Sequence, residues 1–336
     1  MRKSVFLKGT AIVFLLCFGK ANAQSEQTLQ ELGNLINDAI FFTDQYITPA
    51  TDAAVYQAAS GWVATPKEAK RWDFTLGVHV NTFFVPKSDR SFHLADSDLS
   101  FFTIEGVNET ETPTALGNAN YATLTGTLNN EPVTLKTPEG IDRETIIYPS
   151  LQGALGIGFG TEVIAKFSPK ITLKHVEYQV YGLGLKHNFS RYFKNLEAKK
   201  IHLSTLLAYS REDVTVAFLD VTTSYGNLGL NSLNSIIDTW QLQFNGSKEF
   251  KKLEVSAGLI MNTSKFEYTV DGERGAIEDV IPLHQVLNQR LEAIYKTKFN
   301  CIGEVSGRYD FGKIYLQSTV AFGKFVNTNI ALQYEF

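Results

Sequence analysis

Lys186-His-Asn-Phe-Ser190 holds the side chains that an activated nucleophile needs: a hydroxyl, an imidazole and an amide to orient it. On neighbouring positions of one strand, however, His187 and Asn188 point to opposite faces and form no unit without a turn. Gly156-Ile-Gly-Phe-Gly160 and Gly182-Leu-Gly184 look at first like phosphate loops. A phosphate loop must open a helix, and both glycine sets lie within alternating, strand-like sequence, where glycine marks a bend or close packing. The histidines at 79, 93, 175, 187, 202 and 284 have no spacing with one another or with cysteine that would build a metal cage. The expectation is a protein that is not an enzyme and uses no cofactor and no metal.

The chemistry-bearing residues are thus scattered over elements built for another purpose, and the end of the chain shows which. Val326, Thr328, Ile330, Leu332, Tyr334 and Phe336 fall on one face of an extended strand, with Asn327, Asn329, Ala331, Gln333 and Glu335 on the other. An alternating strand that finishes on an aromatic residue suits a transmembrane barrel, whose last strand meets lipid on one side and water on the other. The other reading of this segment is an edge strand of a soluble β-sandwich. Tyr334 and Phe336 are the candidate assembly signal, read by the barrel-assembly machinery.

The start of the chain agrees. Arg2, Lys3 and Lys8 precede an apolar run from Ala11 to Phe18, and Ala21-Asn-Ala23 forms a small-residue cleavage site. Residues 1–23 therefore read as a secretory signal peptide. Its removal takes Cys17 and leaves Cys301 as the one thiol, so no internal disulfide forms. It also takes four basic residues and no acidic one. The formal charge moves from −4, with 31 basic and 35 acidic residues, to −8 with 27 and 35. No basic block offers a footprint for nucleic acid. No later apolar run approaches the roughly 20 residues of a membrane helix, so a spanning chain must close as a barrel.

Residues 24–66 differ from the rest. Leu29, Leu32, Leu35, Ile36, Ala39 and Ile40 recur at helical spacing, with Thr28 placed to cap the start. Pro49 is expected to break this helix, and Thr51 to Ser60 to form a second one ended by Gly61. In a barrel this segment becomes a hatch, in the lumen or across its mouth, with Phe41, Phe42, Tyr46 and Trp62 as its candidate ligand surface. The alternative is that these aromatics only pack the plug against the wall.

From Trp72 the period changes to two, and about twelve strands are expected over 67–336, within a range of ten to fourteen. Asp73, Asn81, Gln317, Asn327, Asn329 and Gln333 are expected to face water in the lumen. Two stretches resist the pattern and read as long loops, near 87–147 and 272–297. The second contains Pro282 followed by apolar residues at helical spacing.

Tyr46-Ile-Thr-Pro49, Ser60-Gly-Trp-Val-Ala-Thr65 and Phe84-Val-Pro86 resemble the start of an uncharacterised family of Bacteroidota outer-membrane proteins. The likeness continues through Leu151 to Val163, Lys166-Phe-Ser-Pro169, Tyr181 to His187 and the closing hairpins from Gly303 to Phe336. That family is distantly similar to the outer-membrane long-chain fatty-acid and aromatic-hydrocarbon transporters. It usually has Arg where Lys166 stands and often Tyr where Val63 stands. The resemblance implies an all-β, antiparallel outer-membrane barrel, monomeric in outer-membrane lipid, with a short helical hatch. Passive uptake of a small apolar ligand is the implied function, and a structural or adhesive barrel is the alternative. It carries no catalytic residue to this chain, and Lys186 to Ser190 lacks the His-x-Ser-Asn-Gly order of outer-membrane phospholipases.

Overall fold

The computed structural model describes residues 5–217, 222–223, 226–227, 231–272 and 282–336. Among them, ten strands close into one antiparallel barrel: β1 (Phe74–Phe84), β2 (Thr145–Gly158), β3 (Thr161–Leu173), β4 (Val176–Asn188), β5 (Ile201–Ala217), β6 (Ser232–Phe250), β7 (Leu253–Asp271), β8 (Lys296–Asp310), β9 (Ile314–Phe322) and β10 (Val326–Glu335). Each strand pairs with its neighbours in sequence, and β1 closes the ring by pairing with both β2 and β10. Ten is the lower bound of the expected range. The count falls below twelve because several strands are longer than a bilayer crossing needs, up to 19 residues in β6 and β7.

The barrel has two unlike rims. At one, which carries the C-terminal strand end and is here called the terminal rim, the strands are joined mostly by tight turns. Phe159 and Gly160 both have positive φ (55° and 73°) between the paired Gly158 and Thr161, as a two-residue hairpin of the favoured twist requires. At the other, the loop rim, residues 85–144 form a folded cap. It contains a two-stranded pair, Ser91–Ala95 with Glu109–Pro113, and a three-stranded sheet of Thr103–Ile104, Thr123–Leu128 and Glu131–Lys136.

Side chains alternate around the wall as the period of two demands. On β10, Val326, Ile330, Leu332 and Tyr334 are exposed outward while Asn327, Asn329 and Gln333 are buried inward. On β6 the outward residues Phe250, Phe244, Leu242 and Trp240 are exposed apolar groups, and beyond Trp240 the outward face turns polar at Asp238. The eleven residues from Trp240 to Phe250 span about 33 Å of strand, or about 25 Å of height at the usual tilt, which matches a bilayer's hydrocarbon band.

The lumen is not the wet interior expected of this alternation. A single helix, α1 (Val5–Ala59), enters from the loop rim and runs down inside the wall. Asn81, Gln317, Asn327, Asn329 and Gln333 do face inward, but they are buried rather than bathed in water; Asp73 alone of the six stays partly exposed. Pro49 does not break the helix. A proline costs a helix one backbone bond and some crowding, and here the surrounding wall holds the chain on both sides of it: Ile47, Ala53 and Val55 are buried in the same apolar cluster. Nor does Thr28 cap a start, since it lies within α1. Gly61, with φ of 70°, terminates the helix in the left-handed conformation, as expected.

Candidate functional site

The site is the seam between α1 and the wall. Its loop half is apolar. Ile47, Ala50, Ala53, Ala54 and Val55 of α1 pack into one cluster with Phe83 of β1, Val214 and Val216 of β5, Leu233 and Ile237 of β6, and Phe266 and Tyr268 of β7. Three lysines fix the helix here through carboxylates. Lys296 Nζ lies 2.6 Å from Asp44, while Lys298 and Lys324 lie 2.6 and 2.9 Å from the two oxygens of Asp52.

Towards the terminal rim the seam becomes polar, because α1 ends there and its last carbonyls lack partners within the helix. Wall side chains supply them. Asn327 Nδ2 donates to the carbonyl of Tyr56 (3.1 Å), Gln241 Nε2 to that of Ala59 (3.0 Å), and Lys166 Nζ to those of Ala58 (3.0 Å) and Ser60 (2.6 Å). A cation at a helix C-terminus also complements the helix dipole. The amide of Gly61 donates to Glu304 at 2.8 Å, and Gln152 donates to the carbonyl of Trp62 at 2.9 Å. Further on, Lys186 reaches the carbonyl of Thr65 and also pairs with Glu162, and Asn188 Nδ2 donates to that of Pro66 at 2.6 Å. The chain then leaves the lumen and turns into β1.

The four hatch aromatics do not share one surface. Phe41 is half-buried under the cap against Leu94, Phe102 and their neighbours. Phe42 stacks on Tyr46, with ring centres 5.9 Å apart, and meets Phe92 edge-on. Tyr46 is buried, donates to the carbonyl of Glu139 at 2.7 Å and lies 3.2 Å from His175 Nε2. Trp62 is sixteen residues further on and 1 % exposed, its indole N–H donating to the carbonyl of Ala58 and its ring covered by Lys166. Their placement is that of packing groups spread along the plug.

Tyr334 and Phe336 do lie together on the outer face, their rings 4.8 Å apart. The Phe336 amide donates to the carbonyl of Phe74 at 3.0 Å, so the last residue helps seal the barrel seam. His187 and Asn188 separate as strand geometry predicts. His187 meets Thr161 and Tyr192, whereas Asn188 turns inward to Ser190 and Pro66. Among the described residues no three His, Cys, Asp or Glu side chains gather as metal ligands.

Sequence reasoning missed the residues that hold the hatch: Asp52, Lys166, Gln241, Lys298, Glu304 and Lys324. Lys166 and Glu304 were visible as charges on otherwise inward-facing positions, but nothing in the chain told that a helix terminus waited opposite them. Two cavities flank the seam. One of 270 Å³ opens at the terminal rim and is polar, lined by His79, Gln152, Glu162, Lys186, Arg308 and Gln333 among others. The other, of 220 Å³, lies at the loop rim between α1 and α2 (Leu283–Leu291), and Leu29, Leu32, Gly33, Ile36, Val286 and Arg290 line it.

The chain belongs to a family of unknown function, DUF6588, which it matches over residues 1–336. No curated protein matches it in sequence. Among solved structures it is similar to the translocator domain of the autotransporter NalP from Neisseria meningitidis, at 9 % identity over 87 % of this chain and 99 % of that one, with a TM-score of 0.40. The outer-membrane protease OmpT of Escherichia coli is similar at 10 % identity over 83 % and 100 %, with a TM-score of 0.29. The toluene transporter TodX of Pseudomonas putida is similar at 9 % identity over 84 % and 92 %, with a TM-score of 0.22. None of the three brings an activity to this chain.

Proposed function

We propose that this protein is a bacterial outer-membrane barrel, inserted as a monomer by the barrel-assembly machinery after removal of residues 1–23, and closed at rest by its own N-terminal helix. Its cargo in this reading is a small hydrophobic molecule, which crosses passively when the hatch yields. The outward apolar band supports the membrane placement. One observation carries the cargo class: the loop half of the lumen is lined by apolar side chains, and an apolar cleft at the loop rim adjoins the upper part of the hatch. A water-filled pore would need polar lining over its whole length.

A second reading is favoured by the hatch anchorage. Side chains of β2, β3, β4, β6, β8, β9 and β10 bond the segment from Asp52 to Pro66, which suits a barrel that stays shut and displays its cap as a structural or adhesive surface.

The two separate in one experiment. Purified full-length protein is titrated with a fluorescent fatty acid and an aromatic hydrocarbon, and then with the Leu32→Asp and Ile36→Asp variants, which place charge in the cleft. The uptake reading expects saturable binding that both variants weaken. No binding of either probe would leave the structural barrel.

A further inference from the structure

The terminal rim carries a cluster of cations that nothing in the hatch or lumen uses. Lys251 and Lys252 form the turn between β6 and β7, with Phe250 and Leu253 paired on either side. Lys248 stands opposite Ile201 in the β5–β6 register, next to Lys199 and Lys200, and the Glu249 amide donates to the carbonyl of Lys200 at 3.1 Å. All five lysines are exposed, and none forms an ion pair among the described residues.

Among the described side chains, the carboxylates nearby are occupied elsewhere. Glu249 is held by Lys67 at 3.1 Å and His202 at 2.6 Å, Glu254 is buried against Ser247 and Thr65, and Asp310 accepts from the amide of Gly312 at 2.6 Å. The contrast with the loop side is plain. On the outward strand faces there the cations are neutralised, Lys170 by Glu177 (2.9 Å), Arg211 by Asp238 (2.8 Å) and Lys265 by Glu267 (2.5 Å), although Lys174 in the β3–β4 turn is exposed with only the Gly140 carbonyl at 3.4 Å.

Directly beside these lysines, Phe250 is 53 % and Leu253 40 % exposed on the apolar band, and Lys248 Nζ sits 5.5 Å over the Phe250 ring. Free cations above an exposed apolar step match a molecule with an anionic head and hydrocarbon below it. We propose that Lys199, Lys200, Lys248, Lys251 and Lys252 form a binding site for the phosphate headgroup of an anionic glycerophospholipid in the leaflet at the terminal rim. The site rests on the membrane placement proposed above. The rim's other cation–aromatic pairs, Arg71 over Trp72, Arg191 over Tyr192 and Lys313 over Tyr334, continue the same device around the barrel.

Native mass spectrometry of the full-length protein in detergent tests the site, with phosphatidylglycerol, phosphatidylcholine and glycerol 3-phosphate offered in turn. Phosphatidylglycerol should be retained at least about tenfold better than phosphatidylcholine, and Lys251→Gln with Lys252→Gln should lower that preference, by up to about fivefold for each lysine. Lys265→Gln, on the loop side, should leave it unchanged. Equal retention of the two lipids, an unaltered preference in the double variant, or glycerol 3-phosphate binding as tightly as the lipid would overturn the proposal. Heat-modifiable mobility in phosphatidylcholine vesicles is scored separately. It reports whether the protein inserts as a barrel at all, so failure of the membrane placement is distinguishable from failure of the headgroup site.

Discussion

The Lys166 ammonium lies 2.6 Å from the carbonyl oxygen of Ser60, and this contact joins the middle of a wall strand to the end of the hatch. Lys166 is buried, and its ammonium also reaches Ala58 and covers the ring of Trp62. Replacing it with methionine keeps the length but removes the donor to Ser60, whose buried carbonyl then lacks a partner at about 1–3 kcal/mol, while Ala58 keeps the Trp62 indole. Lys166→Met should therefore free residues 56–66 to limited proteolysis while heat-modifiable mobility persists. Lys166→Arg should retain the protection, since a guanidinium supplies the same donors and charge.

A second anchor is electrostatic. Asp52 accepts Lys298 and Lys324 while itself 8 % exposed, so its removal strands Lys298 at the loop end of the seam and leaves Lys324 with Asp89 alone, at 3.4 Å. Both lysines are partly exposed and recover some hydration, which holds the loss from Asp52→Ala to about 1–2 kcal/mol. The measured consequence should be faster amide exchange in α1 between Asp44 and Tyr56, with the wall strands unchanged. Equal exchange in the variant and the parent would show that apolar packing alone seats the helix.

The wall was legible because alternation is a property of each strand by itself. The β10 register, the turn at Gly160, the helix after Pro282 and the end of α1 at Gly61 all follow from local pattern. The contents of the lumen were not legible. Asn327 and Asn329 read as water-facing, and Gln241 had no reading of its own, because a polar side chain opposite lipid meets either water or a buried polar partner, and the strand alone does not say which. Their partners are backbone carbonyls of Tyr56 and Ala59 and the side chains of Asn81 and His79, far away in sequence. Pro49 misled for a related reason. Its local cost is fixed by chemistry, but the packing of a helix enclosed on every side offsets it.

Lipid and lumen faces should respond differently to the same charge. Ile330 is 57 % exposed on the outer band, whereas Thr75 lines the polar cavity at the terminal rim. A lysine facing hydrocarbon near the midplane costs about 2–4 kcal/mol, and one facing a polar cavity costs little. Ile330→Lys should sharply reduce the folded fraction in the membrane, and Thr75→Lys should leave it near the parent. Asn329→Lys is a poor control, because Asn329 is buried between His79, Asn81 and Gly61.

The upper end of the hatch should loosen in acid. His175, in the turn between β3 and β4, lies 3.2 Å from the Tyr46 hydroxyl, and burial holds its pKa below the ordinary histidine value. Its neutral form is therefore favoured in the folded state. The stability this contributes is full above the unfolded value near 6.5 and is lost as pH falls through the lower folded value. Protonation would also place a second charge beside Lys174. Cleavage of the segment around Tyr46 by an acid-tolerant protease should rise between pH 6.5 and pH 4, and His175→Asn should flatten that rise.

The C-terminal residue makes two separable contributions. Its amide donates to the carbonyl of Phe74, and its ring packs 5.3 Å from that of Phe74 and 4.8 Å from that of Tyr334 on the lipid face. Deleting Phe336 removes both the seam hydrogen bond and the ring. Phe336→Ala removes only the ring, and the backbone bond that seals β10 against β1 stays in place. If the seam bond governs closure, the alanine variant should assemble nearly as well as the parent and the deletion should not. An outer-membrane role for the aromatic end as a signal predicts the other pattern: both variants accumulate in the periplasm and are degraded. Once extracted and refolded in detergent without the assembly machinery, Phe336→Ala should then regain heat-modifiable mobility. Failure of that variant to refold in detergent would place the ring's importance in the barrel itself rather than in its delivery.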